Sequence, residues 1–368
     1  MIAQADPKAG YLALKDEIDA AVAGVLARGA YILGREVEAF EGEFAGFIGT
    51  GFAVGVASGT DAITLALKAL GIGPGDGVAT VSHTATATAA AIELSGATPV
   101  LVDVEADGFG MDPAALERLL QAPPLPIRAV VPVHLYGRPA RIEAIMALAE
   151  QHGAVVLEDA SQAHGAAVHG RRVGGFGAAG AFSLYPTKNL GAFGDAGVLV
   201  TGDEELAARA RRLREYGWRR RFVAEAPGMN TRLDELQAAI LRVKLRRLDE
   251  ANARRQAIAR TYTQGLGGLP LALPAEGPGE TCVWHQYVIR SPGRDRLRAA
   301  LAEAGVGTAI HYPAPVHLQD AYAGRLPLGP GGLPVTERLA GEILSLPIYP
   351  ELGDDAAAKV IEAVRAAA

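Results

Sequence analysis

The chain has 368 residues, of which 49% are apolar and 21% are charged, a balance that fits a folded globular protein and excludes a mainly disordered one. Lysine and arginine number 35 against 41 acidic residues, so the formal net charge is −6, and no long basic run favours nucleic-acid binding. The length predicts two or three packing units of about 150 residues each, and no apolar segment reaches the roughly 20 residues that span a bilayer.

Short apolar or β-branched runs alternate with Ala- and Leu-rich stretches between residues 52 and 201. This alternation is typical of an α/β domain whose sheet is covered by helices on both faces. Three-to-four spacing of apolar residues predicts amphipathic helices over 61–70 and 141–152, which Gly71 and Gly153 terminate. The predicted strands are 52–57, 77–80, 98–102, 129–133, 154–158, 181–184 and 198–201.

The last third of the chain predicts a smaller α+β domain. A long helical stretch with a basic face over 233–260, ending near Gly265 and Gly267, is expected to connect the two domains. The predicted division is therefore a large domain over residues 1–249, including an N-terminal segment, and a small domain over residues 250–368. Within the small domain, runs 283–289 and 307–312 predict strands and 356–367 predicts a closing helix.

The N-terminus and the cysteine content predict the compartment. The sequence MIAQADPKAG lacks the basic start and the apolar stretch of a signal peptide. Cys282 is the only cysteine, so no intramolecular disulfide is possible, and a cytoplasmic location is expected. No His or Cys cluster has the spacing of metal ligands, so no metal site is predicted.

The segment SGTD at residues 58–61 lies between a predicted strand and a predicted helix. A small, glycine-containing turn at a helix start exposes backbone N–H groups at the positive end of the helix dipole, which suits a phosphate. An ordinary N-cap, with Thr60 or Asp61 capping the helix, explains the same residues.

Two adjacent acids, Glu158 and Asp159, follow a buried apolar strand. A carboxylate at that depth needs a partner, and a protonated ring nitrogen would supply one. A helix N-cap or a metal ligand is the alternative. His164 lies nearby, but a lone histidine of this kind is more typical of packing with a satisfied hydrogen bond.

Lys188 stands in the segment FSLYPTK at 182–188, which runs off a strand into the glycine-rich NLGAFGDAG at 189–197. Desolvation in such weakly charged surroundings lowers the pKa of a lysine and makes its amine a nucleophile that can form a Schiff base. A surface lysine in a turn is the alternative. No Walker A pattern precedes Lys188, and the GIGPG run at 71–75 follows a helix, so it is not a dinucleotide fingerprint.

A phosphate turn, a strand-end carboxylate and a loop lysine are together the three anchors that pyridoxal phosphate needs. The same residues belong to motifs that resemble the DegT/DnrJ/EryC1/StrS family of sugar aminotransferases from about Gly10 to the C-terminus. The motifs are SGTDA (58–62), VPVHLYG (131–137), LEDASQAHGA (157–166), FSLYPTKNLGAFGDAG (182–197), MNTRLDELQAAIL (229–241), IHYPAPVHLQ (310–319) and LSLPIYPEL (344–352).

The resemblance implies the aspartate-aminotransferase fold, with a large mixed seven-stranded sheet domain and a smaller C-terminal α+β domain, in a homodimer whose active sites lie between subunits. It implies that Lys188 holds pyridoxal 5'-phosphate as a Schiff base and moves a proton during the reaction. The other implied cofactor contacts are Asp159 on the ring nitrogen, Gln162 on the ring hydroxyl, Gly59, Thr60 and Ser183 on the phosphate, and Asn230 on the phosphate of the neighbouring subunit.

Relatives usually place an aromatic ring on the cofactor face at the position of His83. We therefore expect His83 to stack there, against the alternative of a strand-end histidine with a satisfied hydrogen bond. Candidate substrate contacts are Tyr185, Tyr216, His311 and Tyr312, although a tyrosine beside glycine or proline is as often a packing residue.

The implied reaction transfers an amino group from glutamate to a nucleotide-linked keto sugar in a ping-pong sequence. VPVHLYG and KNLGAFGDAG look more like members that aminate C3 of a dTDP-6-deoxyhexose than like members that act at C4. A C4-acting or UDP/GDP-sugar aminotransferase and a non-catalytic, cofactor-binding regulatory protein are the alternatives. A pyridoxamine-dependent sugar dehydratase is disfavoured because its relatives carry histidine in place of Lys188.

Overall fold

The computed structural model describes all 368 residues as an α/β structure. The helices are α1 Pro7–Ala13, α2 Lys15–Arg28, α3 Arg35–Ile48, α4 Gly59–Ala69, α5 Thr86–Ser95, α6 Pro113–Gln121, α7 Ile142–Gln151, α8 Glu204–Leu213, α9 Glu235–Leu245, α10 Leu248–Leu266, α11 Arg294–Glu303, α12 Pro334–Glu342 and α13 Asp354–Ala367. The strands are β1 Phe52–Val56, β2 Gly77–Val81, β3 Thr98–Val102, β4 Ile127–Val130, β5 Val155–Asp159, β6 Ala167–Val168, β7 Arg171–Arg172, β8 Ala179–Ser183, β9 Gly197–Thr201, β10 Trp218–Arg220, β11 Val223–Ala224, β12 Glu280–Thr281, β13 Tyr287–Arg290 and β14 Ile343–Leu346.

All seven strands predicted between residues 52 and 201 are present and form one sheet, in the order β1-β9-β8-β5-β4-β2-β3. Strand β9 runs antiparallel to both of its neighbours, while the other pairings are parallel. The sheet is therefore mixed, as predicted. Because β5 and β8 are parallel neighbours, the loops that follow them leave the same edge of the sheet.

Alternating side chains on each strand face two different layers of the core. On β9, Val198 and Val200 pack into one hydrophobic cluster with α3, while Leu199 packs into another cluster with α4. This period of two on a fully buried strand explains why the sequence shows a continuous apolar run there. None of the helices combines the length and the apolar character needed to cross a bilayer.

A third hydrophobic cluster gathers the C-terminal part of the chain. Tyr262 of α10 and Tyr287 of β13 are fully buried in it, with their rings 5.2 Å apart in an edge-to-face arrangement. Helices α10, α11 and α13 surround the pair β13–β14. The domain boundary at residue 249 stays a prediction.

The helix predicted over 233–260 is wrong as one element, because the chain forms α9 and α10 with a break at Arg246 and Arg247. The two helices pack against different partners: α9 lies on α2 and α3, whereas α10 lies on α13. The chain must therefore change direction between them. The break contains no glycine or proline that would have marked it in the sequence.

The strand predicted over 307–312 is also wrong. Only one isolated bridge, between Ala309 and Ser345, forms there, and Gly307 donates its N–H to the carbonyl of Ile2 instead of to a neighbouring strand. The partner of β13 is β14, which was not predicted as a strand. By leaving β14 after Ala309, the chain carries His311 and Tyr312 toward the end of the large sheet.

Candidate active site

A cavity of about 240 Å³ lies beyond the carboxyl ends of β5 and β8. Lys188 and Asp159 lie on its wall, together with the first turn of α4. Ligands of open α/β sheets bind at this position, because loops from neighbouring strands converge there. Six of the predicted cofactor residues and one predicted substrate residue line this cavity: Gly59, Thr60, Asp159, Gln162, Ser183, Lys188 and Tyr185.

Lys188 is half-buried, and the loss of hydration lowers the pKa of its amine to about 8. The Asp159 carboxylate opposes this effect and raises the pKa. A much larger fraction of the amine is therefore unprotonated near neutral pH than for an exposed lysine, as nucleophilic attack and proton abstraction require.

The two adjacent acids have separate roles because neighbouring residues of a strand point to opposite faces. Asp159 faces the cavity, where it accepts a hydrogen bond from the Thr88 hydroxyl at 2.8 Å and one from the Ser161 N–H at 3.1 Å. Glu158 is fully buried and accepts three backbone N–H groups of the segment 174–177 and the ring of His134 at 3.0 Å. Glu158 thus anchors a loop, and only Asp159 is available to a ligand.

The start of α4 is packed tightly against β8. A Cβ atom added to Gly59 would lie 2.6 Å from Cβ of Ser183 and 2.9 Å from its Cα. Ser58 caps the helix by accepting the N–H of Asp61 at 3.1 Å. The N–H groups of Gly59 and Thr60 have no acceptor within the helix and are available to an anion, and Ser183 packs against Gly59 beside them.

Replacing Gly59 by alanine should therefore displace this turn from β8. We expect the variant to lose about 1–3 kcal/mol of unfolding free energy through overpacking, and to bind inorganic phosphate and pyridoxal phosphate more weakly. Denaturant unfolding and fluorescence titration measure the two effects. Gly42→Ala on α3 is the matched control, because nothing lies within 4 Å of its added methyl group. Equal behaviour of the two variants would contradict a tight phosphate turn.

Gln162 connects the Asp159 loop to two tyrosines. Its side-chain oxygen accepts the backbone N–H of Tyr136 at 2.9 Å, and its amide donates to the hydroxyl of Tyr312 at 3.0 Å. The hydroxyl of Tyr136 donates to the carbonyl of His311. This network ties Tyr312 to Gln162 and His311 to Tyr136, although neither His311 nor Tyr312 lines the cavity itself.

Comparison with known proteins places this chain in a family. The model of the DegT/DnrJ/EryC1/StrS aminotransferase family matches residues 13–365. The chain belongs to this family. A dTDP-3-amino-3,4,6-trideoxy-alpha-D-glucose transaminase from Streptomyces venezuelae is 50% identical over 361 residues, covering 98% of this chain and 94% of the relative.

Two further similarities span the whole chain. The erythromycin biosynthesis sensory transduction protein EryC1 of Saccharopolyspora erythraea is 50% identical, covering 99% of this chain and 98% of its own. The crystal structure of DesV from S. venezuelae in complex with a ketimine intermediate superposes with a TM-score of 0.95 at 50% identity, covering 99% of this chain and 98% of that one. The predictions of the family, of an aminotransferase enzyme and of the aspartate-aminotransferase fold are confirmed.

His83 of this DegT-family chain is held outside the cavity wall. Its ring stacks on Phe109 at 5.9 Å, and its Nε2 lies 3.0 Å from the Tyr136 hydroxyl. Because that hydroxyl donates to the His311 carbonyl, it accepts from His83, so Nε2 carries the proton. Burial lowers the pKa of His83 to about 4, which keeps the ring neutral. Its stacking on a cofactor stays a prediction.

Two other predicted residues lie on the surface of the single chain. Asn230 is exposed and pairs through a backbone bridge with Glu215. Tyr216 is 42% exposed and packs on Trp218, with the ring centroids 5.2 Å apart. Neither residue lines the cavity, so their roles stay predictions.

Three residues around the site were not assigned a role from the sequence. Thr88 binds Asp159 from α5, Tyr136 holds Gln162, and Asn189 ties down the segment beside Lys188. Tyr136 and Asn189 stand inside the motifs VPVHLYG and KNLGAFGDAG, whereas Thr88 lies in a run of alternating threonine and alanine that carries no signal. Position within a motif was therefore a usable signal for two of them.

Proposed function

We propose that this chain transfers the amino group of glutamate to C3 of a dTDP-linked 3-keto-6-deoxyhexose, with pyridoxal phosphate bound at Lys188. The observation that carries the proposal is a desolvated lysine facing a buried aspartate across one cavity, beside a tight helix start. The choice of sugar is supported by the transaminase from S. venezuelae, which matches this chain over nearly its whole length.

The residues of the cavity fit pyridoxal phosphate. The phosphate would lie at Gly59, Thr60 and Ser183, where the lack of a side chain on residue 59 lets the helix start pack directly against Ser183. The ring nitrogen would pair with Asp159, whose carboxylate already has the Thr88 hydroxyl as a donor. The ring hydroxyl would face the amide of Gln162. Each polar part of the cofactor thus has a complementary group.

When bound, pyridoxal phosphate supplies an aldehyde for the lysine amine and a protonated ring that withdraws electrons from the carbon bearing the transferred amine. Lys188 would hold the cofactor through its amine and, once that amine is free, would carry a proton to and from the reacting carbon as general base and acid. A pKa of about 8 lets its amine do both near neutral pH. Asp159 would keep a positive charge on the ring nitrogen.

The substrate is proposed to enter past Tyr185, which is 51% exposed on the cavity wall. Tyr312 is held by Gln162, and burial raises the pKa of its hydroxyl to about 12, so it meets the sugar as a neutral donor. His311 is oriented by a 2.8 Å contact between its Nδ1 and the Ser345 hydroxyl. Tyr216 is proposed to contact the sugar bound to the other subunit.

We further propose a homodimer in which Asn230 reaches the cofactor phosphate of the partner. Several large apolar side chains are exposed on the single chain and support such an interface: Tyr31, Ile32, Tyr185, Phe193, Tyr216, Phe222 and Val223. Exposure of many aromatic residues is unusual for a monomer.

Mixing two inactive variants tests the shared site. Lys188→Ala and Asn230→Ala should each be defective, but a mixed dimer contains one site with both residues intact. After co-refolding in equal amounts, activity should return to about a quarter of the wild-type level, because half of the dimers are mixed and half of their sites are complete. No recovery, with mixed dimers present by native mass spectrometry, would contradict an intersubunit role of Asn230.

The function itself is tested by two half-reactions. Glutamate alone should bleach the visible band of the cofactor-loaded protein and release 2-oxoglutarate. A panel of dTDP- and UDP-linked 3-keto and 4-keto sugars should then restore the band, fastest with the dTDP-linked 3-keto-6-deoxyhexose. Fastest recovery with another sugar would favour the C4-acting or UDP/GDP alternative. Binding of the cofactor without any response to glutamate would favour a regulatory protein.

A further inference from the structure

The side chain of Asn189, which directly follows Lys188, makes three hydrogen bonds inside the protein. Its amide nitrogen donates to Oδ1 of Asn252 at 2.9 Å and to the carbonyl of Val283 at 2.8 Å. Its oxygen lies 3.2 Å from Nδ1 of His285, which donates because that oxygen has no proton. Residue 189 is therefore fixed from both α10 and the segment before β13.

Asn252 carries the same connection to the loop that follows Asp159. Its amide nitrogen donates to the carbonyl of His164 at 2.8 Å, and its side chain is buried. The approach is so close that a Cβ on Gly165 would lie 2.9 Å from that nitrogen, and Gly165 has φ +96°. The Asn252 side chain is therefore closely packed against the loop backbone and buried there.

We propose that Asn189 and Asn252 are positioning residues that hold the Lys188 amine at its working distance from the Asp159 carboxylate. The loops that carry these two groups leave neighbouring strands, and the asparagine pair links the residue after Lys188 to His164 in the loop after Asp159. During the proposed reaction Lys188 is repeatedly released from its covalent partner, so only its own backbone can keep the amine in place. The inference rests on the proposed function for this last step.

The groups that face Lys188 come from four places: Asp159 on β5, His164 after it, His285 before β13, and His311 near Ser345. Burial lowers the pKa of His164 to about 3 and that of His311 to about 4, and it holds the pKa of His285 well below the ordinary value. The three imidazoles are therefore neutral. Two acids lie on the cavity wall, Asp159 and the exposed Asp195, and Asp159 is the one that acts on the pKa of Lys188. A change in the protein that lets water reach the Lys188 amine should raise the pKa of Lys188 toward that of a free lysine.

The test compares Asn189→Ala, Asn252→Ala and the double variant with the wild-type protein. In cofactor-free protein, an amine-specific reagent is applied over a pH series, and labelling of Lys188 is measured by peptide mass spectrometry. We expect a wild-type midpoint near 8 and higher midpoints in all three variants.

In cofactor-loaded protein, kcat should fall on the order of 10²-fold with KM within about twofold, as expected for a misplaced catalytic group. The double variant should be no worse than Asn189→Ala, because that change already removes the bond between residues 189 and 252.

Thr263→Ala is the control, because Thr263 is another polar residue of α10, and its hydroxyl bonds the Ala259 carbonyl and the Tyr287 hydroxyl without contacting Asn189 or Asn252. It should change neither the midpoint nor kcat. Asn252→Leu, similar in size but without hydrogen bonds, replaces Asn252→Ala if that variant fails to fold. A midpoint and a kcat equal to those of the wild type, whatever the melting temperature, would overturn the proposal. If the wild-type protein transfers no amino group, the proposed function is wrong, but the labelling midpoints still show whether the two asparagines position Lys188.

Discussion

Lys188→Ala is expected to abolish transamination, lowering kcat by about 10⁴-fold or more, since the variant loses both the covalent bond to the cofactor and the general base. The protein should still bind pyridoxal phosphate, because the phosphate turn and Asp159 remain. Borohydride reduction of loaded wild-type protein should fix the cofactor to the peptide that contains residue 188. The variant should release all of its cofactor on denaturation. Absorption spectroscopy and peptide mass spectrometry measure both outcomes.

Lys244 provides a stringent control for this prediction. Burial also lowers the pKa of Lys244 to about 8, so it resembles Lys188 in chemical reactivity. Its amine, however, donates to the carbonyl of Gly191 and lies 5.4 Å from the ring centre of Phe193, away from Asp159. Lys244→Met should keep the borohydride-fixed cofactor. If Lys244→Met loses it while Lys188→Ala keeps it, the assignment of the cofactor lysine is wrong.

The large sheet could be predicted from the sequence because its strands are buried on both faces. Continuous apolar runs such as Val198–Val200 stand out between glycine-rich turns, and their order along the chain follows the βα pattern. The predicted 129–133 strand ends early in the structure, at Val130, since Pro132 has no N–H to extend the ladder. Errors of this kind affect boundaries and leave the site in place.

The C-terminal part was harder to predict because its elements depend on distant partners. Strand β14 exists through its pairing with β13, more than 50 residues earlier, and the 307–312 segment is fixed by Ile2 at the other end of the chain. Neither contact leaves a periodic pattern in the local sequence. The same reason explains why Thr88 and Asn252 were missed: Thr88 acts through its bond to Asp159 and Asn252 through its bonds to Asn189 and His164, all far away in sequence.

The acids Glu158 and Asp159 show what local sequence can and cannot decide. Two carboxylates at a strand end indicated a polar site, and the alternation of a strand requires them to face opposite sides. Which of them faces the ligand depends on the layers above and below the sheet. The structure places the loop 174–177 against Glu158 and the cavity against Asp159.

Asp159→Asn is expected to reduce the rate of the glutamate half-reaction by about 10²- to 10³-fold, the cost of removing one group that stabilises charge in a preorganised site. The amide keeps the size of the carboxylate, and its nitrogen can donate to the Thr88 hydroxyl, so the fold should be retained. Because Asp159 raises the pKa of Lys188, its loss should move the labelling midpoint of the cofactor-free amine below about 8. This shift is opposite in sign to that expected for Asn189→Ala.

Glu158→Gln is the control for Asp159→Asn. It removes a carboxylate that is buried outside the cavity, whereas Asp159→Asn removes the carboxylate that faces the cavity. Glu158 accepts the N–H groups of Gly174, Phe176 and Gly177. In the glutamine variant the side-chain NH2 group would face part of these buried donors, which should cost about 1–3 kcal/mol of unfolding free energy. Its labelling midpoint should stay near 8, since Glu158 is not among the groups that act on Lys188. If Glu158→Gln lowers the midpoint and Asp159→Asn does not, the carboxylate that opposes the lysine has been misassigned. The adjacent acids thus allow the electrostatic role to be tested one residue at a time.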